Sequence, residues 1–525
     1  MQNHTAESLY ATGEGNRTNF LDTARVASKL TIPYVMPDEG HGPHTRLTTA
    51  FQGIGARGVN NLASKLLLAL LPPNAPFFRL SIDEFVLAEE GAPPEAITEI
   101  EQTLQKVEES MMDEVSAQSY RVGIHEALKH LIVTGNALLY MPDEGGLRVF
   151  HLDRYIIKRD PMGNVLHIAT KETIAYAALS PEMQDAIAGF NKDITSECDL
   201  YTAIVRIDGK YEVFQDIKGI PMPTQGSYAL DKSPFIPLRF SKIDGEDYGH
   251  GYVEEYLGDL QSLEKLTQAI VEGSAAAAKV LFLVNPNGTT RARTLAESPN
   301  GAITQGNAAD VSVLQLNKFN DFRVAQDTIT TIKDRLGHAF LLTSGVVRNA
   351  ERVTAEEIRM LSLELESALG GLYSLLSNEL QLPLINRLMI VMNRNARLPK
   401  LPKDIIKPVI ITGVEALGRG HDLQKLDLFL QGAAEVVGPE AVAKFVNVGE
   451  YFSRRATALG IKTIGLVKTA EELAAEQQQA QQQQQQQSMM QSLGPNAIKA
   501  FSDQASSIRE QAPQQEEEGQ PSEVQ

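Results

Sequence analysis

Gly53-Ile54-Gly55-Ala56-Arg57-Gly58 carries three glycines at the spacing of a dinucleotide-binding turn, in which the backbone meets a pyrophosphate at a helix N-terminus. That chemistry needs a buried strand before the turn and a βαβ repeat after it. Thr45 to Phe51 is a poor buried strand and no such repeat follows, so no nucleotide cofactor is expected. His125-Glu126-Ala127-Leu128-Lys129-His130 resembles a zinc-protease helix, which needs its histidines one turn apart. Here they are five residues apart and cannot share that face, so the segment reads as an ordinary amphipathic helix. The chain has no Walker lysine motif, no Gly-x-Ser-x-Gly elbow and no CxxC pair. No catalytic, cofactor or metal residue is therefore assigned. The rival reading, a nucleotide-dependent enzyme built around Gly53 to Gly58, would be favoured by stoichiometric NAD or ATP binding.

Two groups of cations stand in segments with few apolar residues. Arg291 and Arg293 sit in a Gly/Asn/Thr-rich tip, as a solvated loop or as contacts for an acidic partner. Arg348 and Arg352 lie in a loop from Thr343 to Arg352. They could meet phosphate if that loop faces DNA, or could pair with Glu351 and nearby carboxylates. Local sequence leaves the first choice even and favours ion pairing in the second.

The elements that would hold these residues follow from periodicity. Gly58 to Leu71 and His125 to Thr134 have helical apolar spacing. Tyr201 to Ile207 and Lys210 to Phe214 read as strands joined at Asp208-Gly209, and Tyr155 to Lys158 with Val165 to Thr170 form a second hairpin about Asp160 to Asn164. One helix is predicted from Gly251 to about Ala278, ending in small residues that permit close packing. The β-like runs Val280 to Val284 and Val311 to Leu316 bracket a small excursion, after which a second helix carries Phe322, Ile329, Ile332 and Leu336 on one stripe. Thr354 and Glu357 form a capping box opening a third helix toward Arg394, with a kink or break expected at Gly370-Gly371 or Pro383. Helical sequence resumes between His421 and Ala458. From Gln477 onward the chain is too polar to order by burial and reads as a disordered tail.

Composition bounds the function. At 525 residues several packed regions are expected. A formal net charge of -18 argues against tight, sequence-independent DNA binding, because such affinity comes from Lys and Arg displacing counterions. The single cysteine, Cys198, excludes an intramolecular disulfide framework and reads as an inert, partly buried thiol. The polar start and the short apolar runs predict neither secretion nor membrane insertion.

Several collinear stretches resemble the head-to-tail connectors, or portals, of T7-like short-tailed bacteriophages. They are Gly55-Ala56-Arg57-Gly58-Val59-Asn60-Asn61-Leu62-Ala63-Ser64-Lys65-Leu66, Glu126-Ala127-Leu128-Lys129, Gly251-Tyr252-Val253-Glu254-Glu255-Tyr256-Leu257-Gly258-Asp259-Leu260, Glu351 to Arg359, Asn378 to Leu384, and Gly418-Arg419-Gly420. The similarity runs over most of the chain. It departs at the amino terminus and the glutamine-rich end, and the tip of the excursion is otherwise the least matched part.

The resemblance implies an α+β, mostly helical portal fold and a closed ring of about twelve subunits around an axial channel. By this analogy the wing comprises residues 1–250 and 354–414, the stem helices 251–278 and 317–341, the clip 279–316 and the channel loop 342–353. The crown would be 415–475 and the disordered tail 476–525. Thr343, Ser344, Gly345, Arg348, Asn349 and Arg352 become DNA-proximal candidates, and Arg291 and Arg293 candidates for partner docking. The implied partners are other copies of the chain, double-stranded DNA in transit, the major capsid protein, the terminase motor that hydrolyses ATP, and tail adaptor proteins, with scaffold and internal core proteins as further candidates. The implied location is the unique capsid vertex of the virion, after assembly in the host cytoplasm. A scaffold or shell protein without a channel is the alternative.

Overall fold

The computed structural model describes residues 5–42, 44–73, 76–82, 94–187, 196–277, 281–314 and 319–342. Beyond these it describes parts of 360–371, residues 375–395, 397–398, 406–410 and 427–436, and isolated positions up to 455. The chain divides into two units, residues 1–418 and 419–525.

In the first unit α1 (Ala6–Glu14) and α2 (Thr18–Leu30) precede α3 (Ile54–Leu70), β1 (Phe78–Ile82), α4 (Pro94–Ala117) and α5 (Tyr120–Thr134). There follow β2 (Asn136–Tyr140), β3 (Arg148–Phe150), β4 (Tyr155–Arg159), β5 (Val165–Ala175), the short α6 (Pro181–Ala186), β6 (Glu197–Ile207), β7 (Lys210–Ile217), β8 (Ile220–Ala229) and β9 (Phe235–Arg239). The segment that extends away from this body consists of α7 (Tyr252–Glu255), α8 (Leu257–Ala277), β10 (Leu281–Val284), α9 (Ala292–Glu297), β11 (Val311–Leu314) and α10 (Phe319–Ala339). It returns to α11 (Leu382–Arg394) and β12 (Ile406–Ile410). The fold is thus mixed helix and strand.

Strands β4 to β8 form an antiparallel meander in sequence order. Its β6–β7 turn has positive φ at Asp208 (47°) and Gly209 (77°), the two-residue geometry that matches strand twist. The β7–β8 turn at Lys218-Gly219 (53° and 73°) does the same, although lysine gives little sign of it in sequence. At the expected β4–β5 turn, Asp160 accepts from the Asn164 amide and Gly163 takes φ 88°. A smaller sheet, β3-β2-β9, lies beside α5, whose Ile124, Leu128 and Leu131 are buried in the main core. The α5 helix stops at Gly135 in the left-handed region (φ 77°), where a side chain would collide with the backbone of residues 249 to 251. Strand β1 pairs with β12, joining residues 78–82 to 406–410.

One helical expectation is corrected. The helix predicted from Gly251 to Ala278 is broken at Tyr256 (φ -112°, ψ 11°) into α7 and α8. Tyr252 and Tyr256 both pack their rings on Phe340, and Tyr252 Oη donates to the Ala339 carbonyl at 2.9 Å, contacts that fix the short turn before α8 begins. Before Pro383 the helix adopts a π-turn from Ser377 to Gln381. The wider turn accommodates the missing proline N–H and its ring, and also places Glu379 against Arg239. The capping box at 354–357 lies outside the described residues, and Gly371 is in a turn.

Candidate subunit-contact and channel surfaces

Helices α8 and α10 pack antiparallel: Asp259 near the start of α8 pairs with Arg335 near the end of α10 at 2.6 Å, and Gly273 near the end of α8 faces Phe322 near the start of α10. A Cβ on Gly273 would come within 2.7 Å of the Phe322 ring, so the glycine lets the helices approach. Their apolar stripe is covered only near the body, where Leu260, Leu263, Ile329, Ile332 and Leu336 are buried. Farther out Val271 is 50% and Val324 67% exposed, and Ser274, Ala275 and Ala276 are open to solvent. The small residues expected to pack closely are therefore uncovered in the single chain.

The excursion is an antiparallel pair, β10 with β11, as its two apolar runs predict. Phe282 (61% exposed) and Leu283 (52%) are neighbours in one strand and point to opposite faces, so neither face of the ribbon is covered. Two strands alone are marginal in water. The expected loop at the tip contains α9 instead. Arg291 is its N-cap, and Arg293 pairs with Glu297 at 2.8 Å while remaining exposed. The Asp310 carboxylate orders the preceding turn by accepting from the Thr289 and Thr290 amides, bonds that hold its pKa below the usual range.

At the body end of α10 one face of α3 holds the chain just before residue 343. Gly58 has no room for a side chain, because the Phe340 ring lies 2.5 Å from where its Cβ would be. Asn61 Nδ2 donates to the carbonyls of Phe340 and Leu341 at 3.0 Å each, and Lys65 Nζ donates to Leu341 at 3.0 Å and pairs with Glu364 at 3.3 Å. Positions 58, 61 and 65 are one and two turns apart and share a face. Sequence reasoning missed these residues as a site; the signal was a small, a polar and a cationic residue at helical spacing in an apolar helix. The loop residues Thr343, Ser344, Gly345, Arg348, Asn349 and Arg352 lie outside the described residues.

The Gly53 to Gly58 run follows residues in no regular strand and opens α3. The Gly55 amide in the run, and the two amides just before the run, are already engaged. Gln52 Oε1 accepts from Gly55, and Glu264 of α8 accepts from the Phe51 and Gln52 amides at 2.9 and 3.1 Å. A Cβ on Gly55 would meet the Leu30 carbonyl at 2.4 Å. Gly55 and Gly58 serve packing, whereas Gly53 has open space around it. Cys198, in β6, is half-buried, and burial pushes its thiol pKa up, away from the reactive thiolate.

Exposed apolar surface on a projecting helix pair and ribbon, with a braced attachment for the following loop, defines a subunit completed by other protein surfaces. Its class is a structural assembly protein. The family model described as bacteriophage head to tail connecting protein matches residues 3–467, and the chain belongs to that family. It is 40% identical over 477 residues to the portal protein of Escherichia phage T7, covering 89% of each chain. It is likewise 40% identical over 479 residues to the portal protein of Enterobacteria phage T3, covering 90% of this chain and 89% of that one. With the portal protein of Enterobacteria phage SP6 the identity is 32% over 444 residues, 83% of this chain and 84% of that one. The protein is accordingly a T7-like phage portal, a head-to-tail connector rather than an enzyme, and a virion component. Neither the nucleotide-enzyme nor the channel-free scaffold reading is favoured. Among the described residues no helix is long and apolar enough to cross a membrane.

Proposed function

We propose that about twelve copies close into a ring whose channel carries double-stranded DNA during packaging and ejection, with the wing, stem, clip and crown divided as the sequence resemblance implies. The observation carrying this reading is the exposed outer half of the α8–α10 pair. Val271, Val324 and the small residues Ser274 to Ala276 form a surface suited to close contact with the next copy. The ribbon of β10 and β11, with Arg291 and Arg293 at its tip, is the proposed docking surface for the terminase and later for tail proteins; the wing would meet the capsid shell. Assembly would take place in the host cytoplasm.

Helices α8 and α10 together contain six carboxylates and four Lys or Arg side chains. A wall of that balance confines a duplex without gripping it, since few cations are available to displace phosphate counterions. Thr343, Ser344, Gly345, Arg348, Asn349 and Arg352 are the proposed DNA-proximal residues of the channel loop. Electron microscopy of purified protein at moderate salt tests the ring: end-on views should show a central hole and about twelvefold symmetry, whereas monomers or shells overturn it. Deleting residues 343–352 should leave rings intact and impair packaging; unimpaired packaging removes the loop's role.

A further inference from the structure

We propose that Glu126, His130 and His151 form a binding site for one late first-row divalent metal ion, with Zn2+ the fitting member, that ties α5 to the start of the five-stranded sheet. One candidate ligand atom from each residue lies within 4.8 Å of the others. Glu126 and His130 are one turn apart on α5 and share a face. His151 comes from between β3 and the Leu152–Arg154 turn that leads into β4. Two imidazoles and a carboxylate are donors that zinc accepts, with water completing the tetrahedron.

A second observation points to a ligand. His130 is only 2% exposed, yet its Nδ1 has no hydrogen-bond partner, a costly state for a buried polar atom. Its ring sits edge-on to that of His151, with centroids 4.7 Å apart. Donors within 4.8 Å of one another can close on one ion through bonds of about 2.0–2.2 Å by small side-chain adjustments. Glu126 is exposed and His151 half-buried, which gives both side chains room to move and the ion a route from solvent. The nearby cation Lys129 reaches to the Tyr34 hydroxyl at 3.3 Å.

The test uses untagged, full-length protein stripped with a chelator, dialysed and titrated with Zn2+, with Mg2+ as control. About one Zn2+ per chain should bind and raise the unfolding temperature, and Mg2+ should do neither. His151→Asn and Glu126→Gln should each weaken Zn2+ binding by about tenfold or more and reduce the thermal shift. Both alter accessible side chains, so they avoid the folding defect that changing buried His130 would risk. Co2+ in place of Zn2+ should give visible absorption bands in the wild type that His151→Asn removes. Absence of stoichiometric uptake, or uptake unchanged in both variants, overturns the site and leaves the histidines as a packed pair. Ring formation in the same samples reads out the portal assignment separately.

Discussion

Lys65 reaches from the middle of α3 to the carbonyl oxygen of Leu341, 3.0 Å away, where the chain leaves α10. The side chain is 1% exposed, and Leu341 itself has positive φ (53°). A buried ammonium is tolerable because it is matched by that carbonyl and by Glu364. The point at which the chain leaves α10 is thereby set from the body of the subunit.

Lys65→Met removes both contacts while keeping much of the side-chain volume. It should destabilise by about 1–3 kcal/mol and speed tryptic cleavage at Arg348 or Arg352. A thermal scan combined with limited proteolysis checks this, and cleavage no faster than in the wild type would contradict the bracing role.

Gly58→Val places branched carbon where the Phe340 ring stands, since even a Cβ would lie 2.5 Å from it. Overpacking of this kind costs about 1–3 kcal/mol, so a lower unfolding temperature and a smaller yield of rings are expected. Adding Phe340→Leu should recover part of the loss.

Asp143 accepts from the buried guanidinium of Arg387 and from Arg394. Asp143→Ala leaves Arg387, 1% exposed, without its carboxylate, although its Nε still donates to the Met141 carbonyl at 2.9 Å. The loss should be about 3–5 kcal/mol, larger than for a surface ion pair. Denaturant unfolding followed by circular dichroism measures it.

Val271→Asp and Val324→Asp alter side chains already 50% and 67% exposed in the single chain, so subunit unfolding should change little, by about 0.5 kcal/mol. If these positions meet a neighbouring copy, the buried charge should shift rings to monomers. Analytical ultracentrifugation gives the answer, and undiminished rings would place the contact elsewhere.

His250 lies 2.7 Å from Glu246 and 3.0 Å from Glu254. Partial burial lowers its pKa, but hydrogen bonds to both carboxylates outweigh this and hold it above 6.5. Because the folded pKa is raised, the stabilisation is complete below the unfolded value and fades as pH climbs through the folded one. The unfolding-temperature advantage of wild type over His250→Gln should therefore shrink from mildly acidic to alkaline pH.

Much of the architecture was legible along the chain because it depends on neighbours. Asp208-Gly209 specifies a tight hairpin by local dihedral preference, and the apolar spacing of Ile329, Ile332 and Leu336 marks the buried side of α10. The break at Tyr256 was hidden, since the ring it packs on belongs to Phe340, far along the sequence. The ion pair of Arg293 with Glu297 is local, yet the helix that aligns it sits in a segment whose Gly, Asn and Thr content suggested only a loop.

By itself the sequence determined the mixed helix-and-strand character and, through collinear resemblance, the portal family. Tertiary structure alone decided that the face of Gly58, Asn61 and Lys65 meets Phe340 and Leu341, and that His151 comes beside Glu126 and His130. Periodicity shows which residues share a face of one helix. It cannot show which distant segment fills the space opposite, because that choice depends on long-range packing of the whole unit.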